Sequence, residues 1–163
     1  MFDPLSYVGF HTDLSLVALA IGLYLVAALI TNRVPRTLTA VYLAAAVLTD
    51  LTGFGFPFTG FLPSHGVGVL SLLILVVAIV ALYLFHLRGW WRVLYAASLT
   101  ASVFFLAFVA VAQSFQKVAA LNALAPTGSE PPFAVAEGVV LLLFIALGVL
   151  AARRFRPAAL AHA

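Results

Sequence analysis

The sequence predicts an all-α integral membrane protein, a bundle of about five transmembrane helices with the N-terminus outside and the C-terminus in the cytoplasm. Two observations predict the bundle. The chain is 65% hydrophobic and only 8% charged over 163 residues, whereas soluble domains have about 25% charged residues. Five apolar stretches, each close to the ~20 residues that cross a bilayer, are separated by turn-forming residues. A third observation, the distribution of charge, predicts the orientation.

The five predicted helices follow one another with short connections. They cover residues 12–30, 37–54, 66–85, 91–115 and 131–152. The second stretch is the shortest and the least certain as a span. Together the stretches predict a single transmembrane domain at residues 1–156, followed by a short cytoplasmic tail at residues 157–163.

Charged residues are divided between the two sides of the predicted membrane. All seven arginines fall in the first and third connections and in the C-terminal tail, at Arg33, Arg36, Arg88, Arg92, Arg153, Arg154 and Arg156. The five carboxylates and the single lysine lie toward the other side, at Asp3, Asp13, Asp50, Glu130, Glu137 and Lys117. Because basic residues are retained on the cytoplasmic side, the arginines place the N-terminus outside.

Composition also excludes several classes of function. The net charge of +3 does not indicate nucleic-acid binding, because the basic residues flank short loops and form no basic face. They are expected to meet anionic lipid headgroups instead. With no cysteine, thiolate catalysis, iron–sulfur clusters and cysteine-bound zinc are excluded. The chain has no phosphate-binding glycine loop and no catalytic triad pattern, so an enzyme with a covalent nucleophile is the least favoured class.

Polar residues concentrate in the outer half of the predicted bundle. Glu137 lies about 10 Å along the last helix, measured at about 1.5 Å per residue from Glu130, and intramembrane carboxylates usually face a partner or water. Asp50 is one turn below the outer end of the second helix. These residues predict an outer pocket that contains Asp50, His65, Gln113, Gln116, Lys117, Glu130 and Glu137. The alternative for Glu137 is a structural hydrogen bond or ion pair between helices.

The connection between the second and third helices is rich in glycine, proline and phenylalanine. Glycine and proline oppose a regular helix, and four phenylalanines disfavour a fully hydrated loop. This segment is expected to fold back onto the bundle. Its side chains would wall the pocket at Phe54, Phe56, Phe58 and Phe61.

Two histidines are weak candidates for binding a metal or haem. His11 and His65 each lie at the outer start of a predicted helix, so they approach each other if those helices are neighbours. Two histidines can hold a b-type haem or, with a nearby aspartate, a divalent metal. No HxxxH or ExxH spacing occurs in the chain. The favoured interpretation is loop-tethering hydrogen bonds, and the cofactor question stays open.

Two segments resemble a family of small proteobacterial inner-membrane proteins that has no established activity. They are TGFGFPFTGFLPSHGVG at residues 52–68 and the stretch at residues 113–133 that begins QSFQKV and ends LAPTGSEPPF. The resemblance implies a multi-pass protein of the bacterial inner membrane, and it assigns no catalytic residue. Relatives often have histidine at the position of Thr59 and glutamine at that of Glu137. The first difference weakens the metal interpretation, and the second favours an amide-like hydrogen bond at position 137.

These features predict a membrane protein whose outer pocket binds a small ligand or a partner subunit. Two alternatives remain from the sequence. One is a redox protein that binds haem, metal or quinone near His65, and the other is a proton-coupled transporter centred on Glu137. The expected partners are the lipid bilayer and either a homo-oligomer or a larger membrane complex, without nucleic acid.

Overall fold

Helices make up the regular structure of the described chain. The computed structural model describes residues 6–56 and 63–157, and within these ranges the all-α prediction is confirmed. The helices are α1 Tyr7–Ile30, α2 Arg36–Gly53, α3 Pro63–Ile79, α4 Trp91–Lys117, α5 Ala119–Asn122 and α6 Pro131–Arg154, with a π-helical turn at Val80–Leu84 that extends α3.

The helix ends differ from the predicted ones for local reasons. Helix α1 begins at Tyr7, five residues before the predicted start, because the Ser6 hydroxyl accepts a hydrogen bond from the Gly9 N–H at 3.1 Å and caps the helix. The short helix α5 was not predicted. It folds back beside α4, where the Asn122 Nδ2 donates to the Phe115 carbonyl at 3.3 Å.

Four helices are long and apolar enough to cross a membrane: α1, α3 with its π-helical turn, α4 and α6. Helix α2 is not among the four. It has only 18 residues, and Arg36, Asp50 and four threonines lower its hydropathy. Length and composition therefore identify a membrane protein. They do not by themselves identify α2 as a membrane-spanning helix.

Successive long helices run in opposite directions, so their ends gather at two ends of the bundle. At one end, the Asn32 side chain after α1 accepts a hydrogen bond from the Arg156 N–H. The Arg92 guanidinium at the start of α4 donates to the Phe155 carbonyl after α6 at 2.7 Å. All seven arginines lie at or next to these helix ends, and we call this the arginine end. We call the opposite end, where α1 and α6 begin, the distal end.

Helix α4 is the central element, and it packs against α1, α3 and α6. Its face toward α1 and α2 is closely packed around Gly22, where a Cβ atom would lie 2.7 Å from Val103 Cγ2 and 2.8 Å from Tyr42 Cε2. The Tyr42 hydroxyl in turn lies 2.6 Å from that of Ser102. Glycine thus lets the helix backbones approach, as in many membrane helix pairs.

Helix α6 lies at the periphery and contacts mainly α4. The two helices meet along their whole length. Phe115 and Phe133 pair edge-to-face at 5.5 Å near the distal end, Phe104 and Phe144 pair at 5.9 Å midway, and Gly148 faces the Thr100 side chain near the arginine end. We call this line of contact the α4–α6 seam. The other side of α6 exposes large apolar side chains, including Val135, Val139, Leu142 and Leu143.

Candidate functional site

The residues predicted to share one pocket lie in separate places at the distal end. One group joins α1, α2 and α3, a second surrounds Asp50, and a third lies along the α4–α6 seam. Two of the predicted wall residues, Phe58 and Phe61, lie outside the described residues, as does Thr59.

His11 belongs to the first group and ties α1 to the end of α2. Its Nδ1 atom lies 2.8 Å from the Thr52 hydroxyl, and its ring contacts Phe56 edge-on at 5.0 Å. The Tyr7 hydroxyl donates to the Thr52 carbonyl. This hydroxyl fills the space beside Gly55, where a Cβ atom would lie only 2.0 Å away. His11 therefore links the beginning of α1 to the last turn of α2 and to Phe56.

His65 is buried at the start of α3 and packs against Phe54. The two rings stack with centroids 5.9 Å apart, and Phe54 also covers Gly68. Among the residues in ranges 6–56 and 63–157, no group of three or more His, Cys, Asp or Glu side chains is placed to hold a metal ion. Phe56 thus contacts His11, and Phe54 contacts His65.

Asp50 and Lys117 face the α1–α3 side of the bundle. The Asp50 carboxylate lies within reach of the Ser71 hydroxyl on α3, and its Oδ2 atom is buried without a hydrogen-bond partner among the described residues. Lys117 is exposed at the end of α4 and lies close enough to His11 to act on it electrostatically. Gln113, one turn before Lys117 on the same face of α4, is also exposed.

A cavity of about 360 Å³ opens at the distal end of the α4–α6 seam. Of the predicted pocket residues, it includes Gln116. The cavity is bounded by the end of α4, by α5 and by the connection into α6, and its lining residues are Ala112, Phe115, Gln116, Asn122, Ala125, Pro126, Thr127, Gly128 and Phe133. We call it the distal cavity. Its floor is formed by the Phe115–Phe133 pair and Ala112, and its rim contains amide, hydroxyl and backbone polar groups.

Glu130 shapes the rim of this cavity. Its Oε1 atom accepts hydrogen bonds from the Thr127 N–H at 3.0 Å and from the Thr127 hydroxyl at 2.9 Å, and its Oε2 atom accepts one from the Ser129 N–H at 3.1 Å. Gly128 between them has a φ of 71°, a left-handed conformation that favours glycine. These hydrogen bonds, led by that from the Thr127 backbone, hold the pKa of Glu130 below its ordinary value.

Glu137 lies on the α4–α6 seam one turn below Phe133. Its side chain is 8% exposed, and neither carboxylate oxygen has a hydrogen-bond partner in the described part of the chain. No charged side chain of the described residues lies close enough to act on it. The structural ion pair considered from the sequence is thus not formed with any described residue.

Below Glu137, the seam contains a second space, a groove of about 260 Å³. Its lining residues are Ala97, Thr100, Ala101, Phe104, Leu141, Phe144, Ile145, Gly148 and Val149. The lining is apolar except for Thr100, whose hydroxyl is already bonded to the Ala96 carbonyl at 2.8 Å. We call it the apolar groove. The sequence did not predict this groove, because the groove depends on how α4 and α6 pack against each other.

No protein-family model, curated protein or solved structure matches this chain. The resemblance carried by residues 52–68 and 113–133 therefore stays a prediction. Function has to be argued from the geometry of the α4–α6 seam and its two spaces.

The hydrogen bonds of Glu130 give a testable pH dependence. A carboxyl whose pKa is lowered in the folded protein stabilises its loop above the unfolded pKa, and that contribution is lost as the pH falls through the folded pKa. We expect an NMR titration of the Glu130 carboxyl carbon to have its midpoint below the ordinary glutamate value of about 4.3. Thr127→Val should move the midpoint upward but not to the ordinary value, because the backbone donors remain. A wild-type midpoint at or above about 4.3 would show that the rim is not held by this carboxylate.

Proposed function

We propose that this protein is a multi-pass protein of the bacterial inner membrane whose distal cavity binds a small ligand from the periplasmic side. All five long helices cross the membrane in this proposal, with the N-terminus outside. The arginine end faces the cytoplasm, as the positive-inside rule requires.

The packing of α2 supports its role as a fifth span. Eighteen residues extend about 27 Å at about 1.5 Å per residue, close to the ~30 Å of a hydrocarbon core. Helix α2 packs against both α1 and α3. Thr39 and Tyr42 are buried in the bundle, whereas the exposed side chains include Leu38, Val41, Leu48 and Leu51. A helix whose polar residues face its neighbours can remain in the membrane despite a modest mean hydropathy.

The topology can be tested by labelling, because the chain has no cysteine and each single-cysteine variant offers one thiol. We expect a membrane-impermeant maleimide to label Phe54→Cys and Ser129→Cys in intact spheroplasts. Trp90→Cys, at a residue 79% exposed at the arginine end, should react only after permeabilisation. External labelling at position 90 would reverse the orientation. If α2 does not cross, residue 54 lies on the same side as the connection between α1 and α2, so Thr31→Cys, at an exposed residue of that connection, would react together with Phe54→Cys in intact spheroplasts.

Ligand binding is supported chiefly by the shape of the distal cavity. Its volume of about 360 Å³ lies within the ~300–1,000 Å³ typical of small-molecule sites. Phe115 and Phe133 supply an aromatic floor, and Gln116, Asn122 and Thr127 supply convergent polar groups. A concave space of this kind favours a small ligand over a partner subunit, for which a broader and flatter surface is usual.

The same seam favours binding over proton-coupled transport. A proton path would have to continue from Glu137 toward the arginine end. The described seam below Glu137 is the apolar groove, where the Thr100 hydroxyl is already bonded to its own helix. The redox alternative gains no support either, because the His11 and His65 rings pack against Phe56 and Phe54, respectively.

Filling the cavity tests the proposal. Ala112→Leu places three further carbons at the cavity floor, whereas Ala120→Leu makes the same change at an exposed residue of α5 outside the lining. We expect native mass spectrometry of the purified wild type to detect a retained small molecule of defined mass. Ala112→Leu should lose most of it, and Ala120→Leu should keep it.

Two outcomes would contradict the proposal. One is a wild-type protein that retains no such molecule after purification in a mild detergent. The other is equal retention by Ala112→Leu and Ala120→Leu, with both variants folded by circular dichroism.

A further inference from the structure

The most unusual group of the bundle is the Glu137 carboxylate. Burying a carboxylate costs free energy unless it is paired or hydrogen-bonded, and in a membrane such groups usually mark a site where a ligand, an ion or a partner is met. Glu137 is 92% buried, as its exposure of 8% implies, and both its oxygens lack partners among the described residues. The two Glu137 oxygens are therefore able to accept hydrogen bonds from a molecule outside the described part of the chain.

Glu137 lies between the two spaces of the seam. Phe133, four residues before it, lines the distal cavity, and Leu141, four residues after it, lines the apolar groove. Residues four apart lie above one another on one helix face. Glu137 is in the lining of neither space, but along α6 it lies between a polar cavity and an apolar groove. From Glu137 to Val149, at the far end of the groove, α6 rises about 18 Å at about 1.5 Å per residue.

We infer that the seam binds a cationic amphiphile whose protonated amine pairs with Glu137 and whose aliphatic tail lies in the apolar groove. Any further polar substituent of the molecule extends into the distal cavity. This inference rests on the proposed function and names the chemical class of its ligand.

Charge complementarity decides the sign of the head group. Two carboxylates, Glu130 at the rim and Glu137 below the floor, lie along this seam, whereas Lys117 lies near His11 on the α1 side of α4. An anionic head would meet like charge. A cation would meet the Glu137 oxygens and the faces of Phe115 and Phe133, which attract cations as well.

The lining of the apolar groove indicates that the ligand has an aliphatic tail. Its lining consists of alanine, glycine, leucine, isoleucine, valine and phenylalanine side chains apart from Thr100. Two of its lining residues on α6, Leu141 and Ile145, are also exposed on the outside of the bundle, so a tail can enter sideways from the lipid. A small hydrophilic amine would fill the cavity and leave the groove unused, whereas an amphiphile occupies both.

The test compares three twelve-carbon probes that differ in the head group: dodecylamine, dodecanol and dodecanoate. Binding to the detergent-purified full chain is followed by native mass spectrometry. We expect one dodecylamine per protein, bound about tenfold or more tightly than dodecanol, because an ionic hydrogen bond is made only by the amine. Dodecanoate should bind most weakly. This ranking requires no variant, so it stands whether or not a substitution disturbs folding.

Variants then locate the head and the tail. Glu137→Gln keeps the shape of the side chain and should reduce the dodecylamine affinity about tenfold or more while leaving dodecanol unchanged. The matched control is Asp13→Asn, an exposed carboxylate of α1 at the same end of the bundle, which should leave both affinities unchanged. Ala101→Leu, in the groove, should weaken dodecylamine and spare butylamine.

The outcomes separate this inference from the proposed function. Three results would overturn the cationic head group. Dodecylamine and dodecanol could bind equally, or Glu137→Gln could leave dodecylamine binding unchanged. The third is a wild type that retains its own small molecule but does not bind dodecylamine. In each of these cases the cavity can still be the site, which the Ala112→Leu comparison reports independently. Retention of that small molecule by Ala112→Leu removes the proposed function itself.

Discussion

The cost of placing charge in hydrocarbon organises this molecule. With only 8% charged residues, the chain places all its arginines at the helix ends of one side of the bundle. Thr39 and Tyr42 of α2 face inward, where the Tyr42 hydroxyl lies 2.6 Å from that of Ser102. Several buried polar atoms lack a hydrogen-bond partner among the described residues, but Glu137 on α6 is the carboxylate whose two oxygens both do, and it points to a site.

The two spaces of the α4–α6 seam form because α4 packs closely on one side and loosely against α6 on the other. On one side, α1 packs against α2 and α4 so closely that Gly22 has no room for a side chain. On the other side, α6 touches α4 through a line of phenylalanines with small residues between them. Ala97, Ala101, Ala112 and Gly148 leave the spaces that the aromatic pairs hold open. A peripheral helix separated by such spaces is well suited to admit a molecule from the surrounding lipid.

Sequence patterns predicted the helices well because hydropathy is a local property. The seven arginines lie at one end of the bundle because they stand at the ends of successive antiparallel helices. The short helix α5 escaped prediction because four residues, Ala119–Asn122, show no periodicity.

The contents of the site were harder to predict because they depend on which face of each helix meets which neighbour. Gln116 and Lys117 were placed in one pocket because both lie at the distal end of α4. Adjacent residues differ by about 100° around a helix, so Gln116 lines the distal cavity while Lys117 lies near His11. Glu137 was identified as an intramembrane acid, but its position between a cavity and a groove follows from the α4–α6 register, which no single segment encodes.

The most direct test of ligand binding in the seam is a cryo-electron microscopy map of the protein in lipid nanodiscs, with a bound antibody fragment to provide size. We predict non-protein density that begins in the distal cavity, passes within hydrogen-bonding distance of the Glu137 carboxylate and continues along the groove toward Val149. An empty seam, or a Glu137 side chain paired with another group of the protein, would contradict the assignment of this seam as the binding site.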